Sequence, residues 1–256
     1  MSNPTLSFVC ASNNKKMLDE VLLPSLKKQK NQDFEVIVIN AKEKGFHSAA
    51  ETLNYGASLT NGKYICFVHQ DIEFLDDCAV DEIISYFENN DFGLAGVAGE
   101  ISGIMNNEKK CKVISSVING SERIHAGEEL TGVMKANSVD ECVMFVKKKS
   151  FKGFSNIGPY WHLYGPDYSL KCLENGEAVL LFPINVYHLS LGFCDDTYWK
   201  ALKNISKVYS EEKTIHSAMG NWKTGRKLKY SIAYFRFKRF IKKIIFYEKW
   251  KRFIKK

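Results

Sequence analysis

The first hundred residues alternate between β-branched apolar runs and stretches with helical spacing, and this alternation constrains the fold more than any other feature. Residues 5–10, 34–39 and 64–68 are predicted strands, and residues 16–28 and 48–59 are predicted helices between them. A strand–helix–strand repeat requires right-handed crossovers, which place the strands parallel in one sheet. The sequence therefore predicts an α/β fold with a mainly parallel sheet flanked by helices.

The rest of the chain continues the pattern less regularly. Further strands are predicted within the glycine-rich stretch 93–103, at 139–147 and at 178–183, and further helices at 76–88 and 168–174. Between them, residues 106–135 have a weak pattern, which we interpret as loops and hairpins of an insertion on the acceptor side.

Polar, uncharged side chains follow the first strands of the predicted sheet. They are Ser12 and Asn13 after the first strand, Asn40 after the second, and His69 and Gln70 after the third. Ligands of parallel α/β sheets bind beyond the carboxyl ends of the strands. These residues therefore predict a nucleotide cleft at that edge of the sheet.

Two acids, Asp71 and Glu73, stand two residues apart directly after the third strand. Such a pair can share a divalent cation, and carboxylate oxygens suit Mg²⁺ or Mn²⁺. Acids in a solvated turn would give the same pattern, so both interpretations stand at this point.

Two further titratable residues, Asp167 and His188, follow elements of the predicted fold. Asp167 lies near the start of a helix, where the helix dipole favours a carboxylate, and a first-turn acid with a purely structural role fits equally well. His188 follows a strand and is compatible with either a structural role or a ligand role.

Several motifs together resemble the GT-A nucleotide-sugar glycosyltransferases, specifically bacterial members related to the inverting family 2. They are SFVCASNN at 7–14, FEVIVIN at 34–40, LNYGASLTNGKYICFVHQDIEF at 53–74, VDECVMFVKK at 139–148, WHLYGPDYSL at 161–170 and VYHLSLG at 186–192. The resemblance implies a GT-A fold and an inverting transfer of a sugar from a nucleoside-diphosphate sugar to a hydroxyl acceptor.

The resemblance also implies roles at the metal and the acceptor. Asp71 takes the second position of the family's D-x-D motif and would bind the metal directly, while His69 takes the first and would touch ribose or a metal-bound water. Glu73 offers a second register as a metal ligand, and His188 would be a third ligand. Asp167 aligns with the general base that deprotonates the acceptor.

The remaining roles concern the nucleotide and the acceptor wall. Ser12, Asn13, Asn40 and Asn54 would contact base and ribose, with UDP as the favoured nucleotide, and Gln70 would join them. Asp140, Trp161 and His162 align with acceptor-side positions of the family.

The net charge of +7 is unevenly distributed. Residues 225–256 hold thirteen Lys/Arg and one acid, a charge of +12, so the remainder carries 7 − 12 = −5. Apolar residues recur there at 230, 234, 237, 241, 244, 247, 250 and 254, which predicts a basic amphipathic helix. Such a helix is typical of proteins that lie on an anionic membrane surface. Packing on the body or in a dimer interface remains an alternative, and nucleic-acid binding is not expected.

Domain organisation and location follow from these observations. We expect a catalytic domain over residues 1–223, with a nucleotide-binding half at about 1–100 and an acceptor-binding half at about 101–200, then a basic tail over 224–256. Seven cysteines without paired spacing, no leader and no spanning segment predict a cytoplasmic protein on the inner face of the membrane.

The expected function is assembly of a bacterial surface polysaccharide or glycoconjugate on a glycan or lipid-linked acceptor. Two other classes remain open, a non-catalytic subunit with the same fold and a nucleic-acid-binding protein.

Overall fold

The computed structural model describes residues 3–105, 108–190, 195–209, 211–237 and 241, and the backbone alone of residues 103–105 and 108–110. The strands are β1 (Leu6–Ala11), β2 (Phe34–Ile39), β3 (Tyr64–Val68), β4 (Ile72–Phe74), β5 (Leu94–Gly96), β6 (Ala98–Met105), β7 (Glu108–Ser115), β8 (Val117–Asn119), β9 (Ile124–His125), β10 (Glu128–Glu129), β11 (Met134–Lys135), β12 (Ser138–Val139), β13 (Val143–Lys147), β14 (Val179–Leu181), β15 (Val186–His188), β16 (Thr214–Ser217) and β17 (Gly220–Lys223).

The helices alternate with these strands. They are α1 (Lys15–Met17), a π-helical turn (Leu18–Leu22), α2 (Leu23–Lys27), α3 (Ala41–Lys44), α4 (Ala49–Ser58), α5 (Ala79–Asn89), α6 (Tyr164–Glu174), α7 (Asp196–Val208) and a 3₁₀ turn (Gly225–Lys227) that leads into helical residues 228–237.

The central sheet has seven strands in the order β11-β14-β5-β13-β3-β1-β2. The pairings of β1 with β2 and β3, and of β5 with β14, are parallel, while β13 and β11 pair antiparallel with their neighbours. Five strands therefore run one way, and the predicted α/β class with a mainly parallel sheet is confirmed. Because β13 runs in reverse, its first residues lie at the same edge as the last residues of β3.

A second, four-stranded sheet in the order β4-β15-β8-β9 lies beside that edge. Strand β15 pairs antiparallel with β4, opposing His188 to Ile72, and parallel with β8, opposing His188 to Asn119. This register brings a residue from late in the chain next to the end of β3.

Helix α4 shows how local sequence positions the central sheet. Ser48 caps it and forms a capping box with Glu51, which satisfies the backbone N–H groups of Ser48 and Glu51. At Gly56, an added Cβ would lie 2.5 Å from a methyl carbon of Val9, so glycine permits close packing of α4 on β1.

The structure differs from the sequence-based prediction mainly after residue 160. Helix α6 begins at Tyr164, four residues before the predicted start, because Pro166 is accommodated in its first turn. Helix α7 and the β16–β17 hairpin had no predicted counterpart. They pack through a third core cluster that includes Trp199, Trp222 and Ile205.

The described part of the basic tail has two apolar faces. Leu228 and Ile232 are buried in the third core cluster, while Tyr230, Tyr234 and Phe237 are 70%, 66% and 62% exposed. The start of the predicted tail thus packs on the body, and the predicted apolar face at 230, 234, 237 and 241 points outward. Its continuation at 244, 247, 250 and 254 lies outside the described residues.

None of the helices in the described residues is both long and apolar enough to cross a bilayer. The six cysteines within that part of the chain are free thiols.

Candidate active site

His69, Asp71 and His188 converge at the carboxyl edge of the central sheet. One ligand atom from each residue lies within 4.8 Å of the others, and Nε2 of His188 is 3.3 Å from Oδ2 of Asp71. The backbone N–H of Leu189 donates to the carbonyl oxygen of Asp71 at 3.0 Å, which fixes β15 against the turn after β3. Two imidazoles and one carboxylate form a donor set that could hold a divalent metal ion with open positions left for a ligand.

The protonation states of this cluster suit a cation. Burial alone would raise the pKa of Asp71, but the hydrogen bond from His188 and the nearby His188 and His69 rings hold that pKa well below its usual range. Burial, followed by the neighbouring His188, lowers the pKa of His69. An ionised carboxylate and a neutral imidazole are the forms that coordinate a metal.

Glu73 does not join this cluster. It lies on β4 opposite Tyr187, between the buried side chains of Ile72 and Phe74. Successive side chains of a strand point to opposite faces of a sheet. In the described residues, the group that could hold a cation consists of His69, Asp71 and His188, so the register with Glu73 as a ligand is not the one the fold assembles.

Gln70 holds the loop after β1 in place. Its Oε1 accepts hydrogen bonds from Ser12 Oγ at 2.8 Å, Asn13 N at 3.1 Å and Asn14 N at 3.0 Å. Its Nε2 donates to Oδ1 of Asn13 at 2.7 Å. The Gln70 amide is thus occupied by the protein, and it positions Ser12 and Asn13.

A cavity of about 180 Å³ lies beyond the ends of β1 and β3. Its wall includes Ser12, Asn13, His69, Gln70, Asp71 and Glu141. Five of the residues predicted for nucleotide or metal binding therefore share one cavity, which lies where ligands of parallel α/β sheets bind.

Asn40 and Asn54 have other contacts in the structure. Asn40 caps α3, accepting from Lys42 N at 3.1 Å and Glu43 N at 3.3 Å. Asn54 exchanges two hydrogen bonds with the backbone of Phe154, at 2.9 and 2.8 Å. Neither lines the cavity of about 180 Å³, so the structure does not bring these two predicted nucleotide contacts to it.

A second cavity of about 370 Å³ adjoins the first, and His69, Glu141 and Trp161 line both. Asp140 and His162, predicted on the acceptor side, also line the second cavity. Trp161 is 45% exposed, which leaves an indole ring available at the boundary between the two cavities.

Asn119 is a site residue that sequence reasoning missed. It lies beside His188 in the wall of the larger cavity. Its Oδ1 is buried and has no hydrogen-bond partner among the described residues. A buried carbonyl oxygen without a donor is costly, and a ligand hydroxyl in the cavity would satisfy it.

Asp167 lies in the first turn of α6 and is fully buried, with none of its surface exposed. Its Oδ1 accepts from Tyr209 Oη at 2.6 Å, and its Oδ2 accepts from Ser155 Oγ at 2.6 Å and lies 3.0 Å from Lys171 Nζ. It lines neither cavity, whereas its neighbour Pro166 lines the larger one. This placement disagrees with the role of general base predicted for Asp167, because an acceptor hydroxyl in either cavity does not face it.

Comparison with known proteins identifies the family to which the chain is similar. A family model described as "Glycosyltransferase like family" matches residues 7–221. No curated protein sequence matches the chain. Among solved structures, GalNAc-T7 with UDP, GalNAc and Mn²⁺ matches with 12% identity and a TM-score of 0.49, over 81% of this chain and 48% of that one. The chain thus spans about half the length of that structure.

Proposed function

The chain belongs to the glycosyltransferase-like family, and on that premise we propose that it moves a sugar from a nucleoside-diphosphate sugar to a hydroxyl acceptor. The family match confirms the resemblance inferred from the motifs. The observation that carries the proposal is the cluster of His69, Asp71 and His188 at the boundary of two adjoining cavities.

The smaller cavity would hold the nucleotide, with UDP favoured. Ser12 and Asn13 would contact it on a loop that Gln70 holds in position. The larger cavity would hold the acceptor, with Trp161 against a sugar face and Asn119 Oδ1 accepting from a hydroxyl. Donor and acceptor would then meet beside His69 and Glu141.

His69, Asp71 and His188 would hold a divalent cation, Mn²⁺ or Mg²⁺. When bound, this ion supplies positive charge that stabilises the departing diphosphate. The residues of the chain orient the two substrates so that the acceptor oxygen attacks the anomeric carbon directly, and direct displacement inverts that carbon.

We further propose that the tail holds the cleft at an anionic membrane on the cytoplasmic side, facing a lipid-linked acceptor of surface glycan synthesis. Tyr230, Tyr234 and Phe237 form an exposed aromatic face. Lys229 and Arg236 lie on the same helical segment, and Arg226 lies in the 3₁₀ turn that leads into it. Aromatic and basic side chains together favour a membrane surface.

Release of nucleoside diphosphate tests the transferase proposal. The protein is incubated with UDP-glucose, UDP-galactose and UDP-N-acetylglucosamine, with and without Mn²⁺, using water and simple glycosides as acceptors. We expect release from one donor only with Mn²⁺ and a loss of at least about 100-fold in Asp71→Asn. Equal release by the wild type and Asp71→Asn would contradict the proposed site.

A further inference from the structure

Transfer to a hydroxyl requires a group that takes up the hydroxyl proton, and the burial of Asp167 leaves that position to another residue. We propose that Glu141 is the general base of the proposed transfer. The inference rests on the proposed function, and it assigns the base to a residue that follows β12 rather than to helix α6.

The position of Glu141 between the cavities carries this assignment. Among the carboxylates of the described residues, Asp71 lines only the smaller cavity and Asp140 only the larger one, whereas Glu141 lines both. The anomeric carbon of a donor in the first cavity and a hydroxyl of an acceptor in the second must meet at that boundary. A base has to lie within hydrogen-bond reach of the hydroxyl.

The fold holds the Glu141 carboxyl in a defined orientation. Gly165 N donates to Oε1 at 3.3 Å, and the backbone N–H groups of Leu163 and Tyr164 also point at the carboxyl. Leu163 has a left-handed backbone with φ of 68°, which turns the chain into α6. A Cβ added at Gly165 would lie 3.0 Å from Glu141 Cγ, so glycine allows the carboxyl to rest against the helix start.

Its electrostatic surroundings make Glu141 a stronger base than an ordinary carboxylate. Burial, followed by the charge of Asp140, raises the pKa of Glu141 to about 8, while the backbone N–H groups oppose part of that rise. A general base is most effective when its pKa lies near the working pH. The other titratable groups lining the two cavities are His69, Asp71, Asp140, Cys142, His162, Tyr164, His188 and Tyr198.

The proposed step balances as follows. The acceptor oxygen forms a bond to the anomeric carbon, and the bond from that carbon to the diphosphate oxygen breaks with its electron pair going to the diphosphate. The hydroxyl proton passes to the Glu141 carboxylate, which later loses it to solvent.

Glu141→Gln tests the assignment, because glutamine keeps the size of the side chain and an oxygen that can accept from Gly165. We expect nucleotide release to fall by about 10²- to 10⁴-fold, while UDP with Mn²⁺ still stabilises the variant against heat. The wild-type rate should rise with pH through about 8, because the Glu141 carboxyl must be ionised to accept the proton. This rising limb of the pH–rate profile should be absent in Glu141→Gln. Glu141→Asp should recover part of the rate.

Asp140→Asn and Glu88→Gln complete the series. Loss of the Asp140 charge should move the pH limb to lower pH, because that charge raises the pKa of Glu141. Glu88, exposed on α5, is the matched control, and its variant should behave as the wild type.

Three outcomes would overturn the assignment. In the first, Glu141→Gln keeps a rate within about threefold of the wild type. In the second, Glu141→Gln loses UDP binding together with activity, and that result would make Glu141 a positioning residue for α6. Asp167→Asn could abolish release while its Tm stays unchanged; we expect a lower Tm instead, because three contacts to a buried carboxylate are altered. A wild type that releases no nucleotide would refute the proposed function itself, which is a separate result.

Discussion

At the scale of single residues, the site depends on which acids the fold leaves free and which it uses for structure. Asp71 keeps an ionised carboxylate beside two imidazoles. Asp167 has its oxygens occupied by Tyr209, Ser155 and Lys171. Local sequence cannot separate these two cases, because each acid lies beside a terminus of a regular element, Asp71 just after β3 and Asp167 in the first turn of α6. The separation comes from partners that lie far away in sequence.

Substitutions at His188 and Glu73 discriminate between the two possible sets of metal ligands, one with His188 and one with Glu73. His188→Gln should weaken Mn²⁺ binding by at least about 10-fold, since it removes one of three ligands. Glu73→Gln should leave Mn²⁺ binding unchanged, because Glu73 lies on β4 outside the cluster. Calorimetric titration with Mn²⁺ measures both. A Glu73→Gln variant that binds Mn²⁺ as weakly as His188→Gln would favour the D-x-E register instead.

At the scale of elements, sequence predicts the nucleotide half of the fold well. The bounds of β2 and β3 agree with the prediction because β-branched and apolar runs end there at polar or glycine-containing turns. Helix α4, Ala49–Ser58, agrees with the helix predicted over residues 48–59, and the structure adds the capping box between Ser48 and Glu51. The cluster of polar strand ends follows from these elements, since parallel strands end at one edge.

The acceptor half is less predictable for physical reasons. Helix α7 and the β16–β17 hairpin depend on the contacts among Trp199, Trp222 and Phe235, whose ring centroids are 5.0 to 5.6 Å apart. Glu141 becomes a site residue only because β13 runs antiparallel and α6 starts at Tyr164. Both features depend on tertiary packing and have no local sequence signal. The only local signal at this place is the pair of adjacent acids, Asp140 and Glu141.

The connection between the end of β3 and the loop after β1 gives a prediction at this scale. Gln70→Ala removes the acceptor shared by Ser12 and the backbone of Asn13 and Asn14. We expect the Kd for UDP to rise by about 10-fold, which corresponds to about 1.4 kcal/mol.

Gln32→Ala is the control for this variant. Gln32 lies beyond the end of α2 and donates to the carbonyl oxygens of Leu26 and Gln29. Because Gln32 does not line the proposed nucleotide cavity, its variant should bind UDP as the wild type does. Equal affinities for Gln70→Ala and Gln32→Ala, measured by calorimetry, would mean that Gln70 does not position the loop.

At the scale of the whole molecule, an acidic body carries a basic end. The sequence predicts this charge separation, and the structure adds that the tail helix has one face on the body and another exposed. Truncation near residue 221 would remove Trp222, which is buried in the third core cluster. Substitutions on the exposed face are therefore the sharper test of membrane binding.

The triple variant Tyr230→Ser, Tyr234→Ser and Phe237→Ser should bind vesicles more weakly than the wild type. These side chains are exposed, so the fold should tolerate the changes. Co-sedimentation with phosphatidylglycerol vesicles measures the loss, and added salt should weaken the wild type as well. Vesicles of neutral lipid serve as the control. Equal sedimentation of both proteins with anionic vesicles would contradict the proposed membrane face.

The central claim is a nucleotide site that depends on a cation held by His69, Asp71 and His188. Thermal unfolding of the wild type and Asp71→Asn with UDP, with Mn²⁺ and with both tests it most directly. A ligand that binds only the folded state stabilises it by an amount that grows with the logarithm of its affinity. We therefore predict a clear rise in Tm for the wild type with UDP and Mn²⁺ together and none for Asp71→Asn. The same rise with UDP alone, or in Asp71→Asn, would contradict the account.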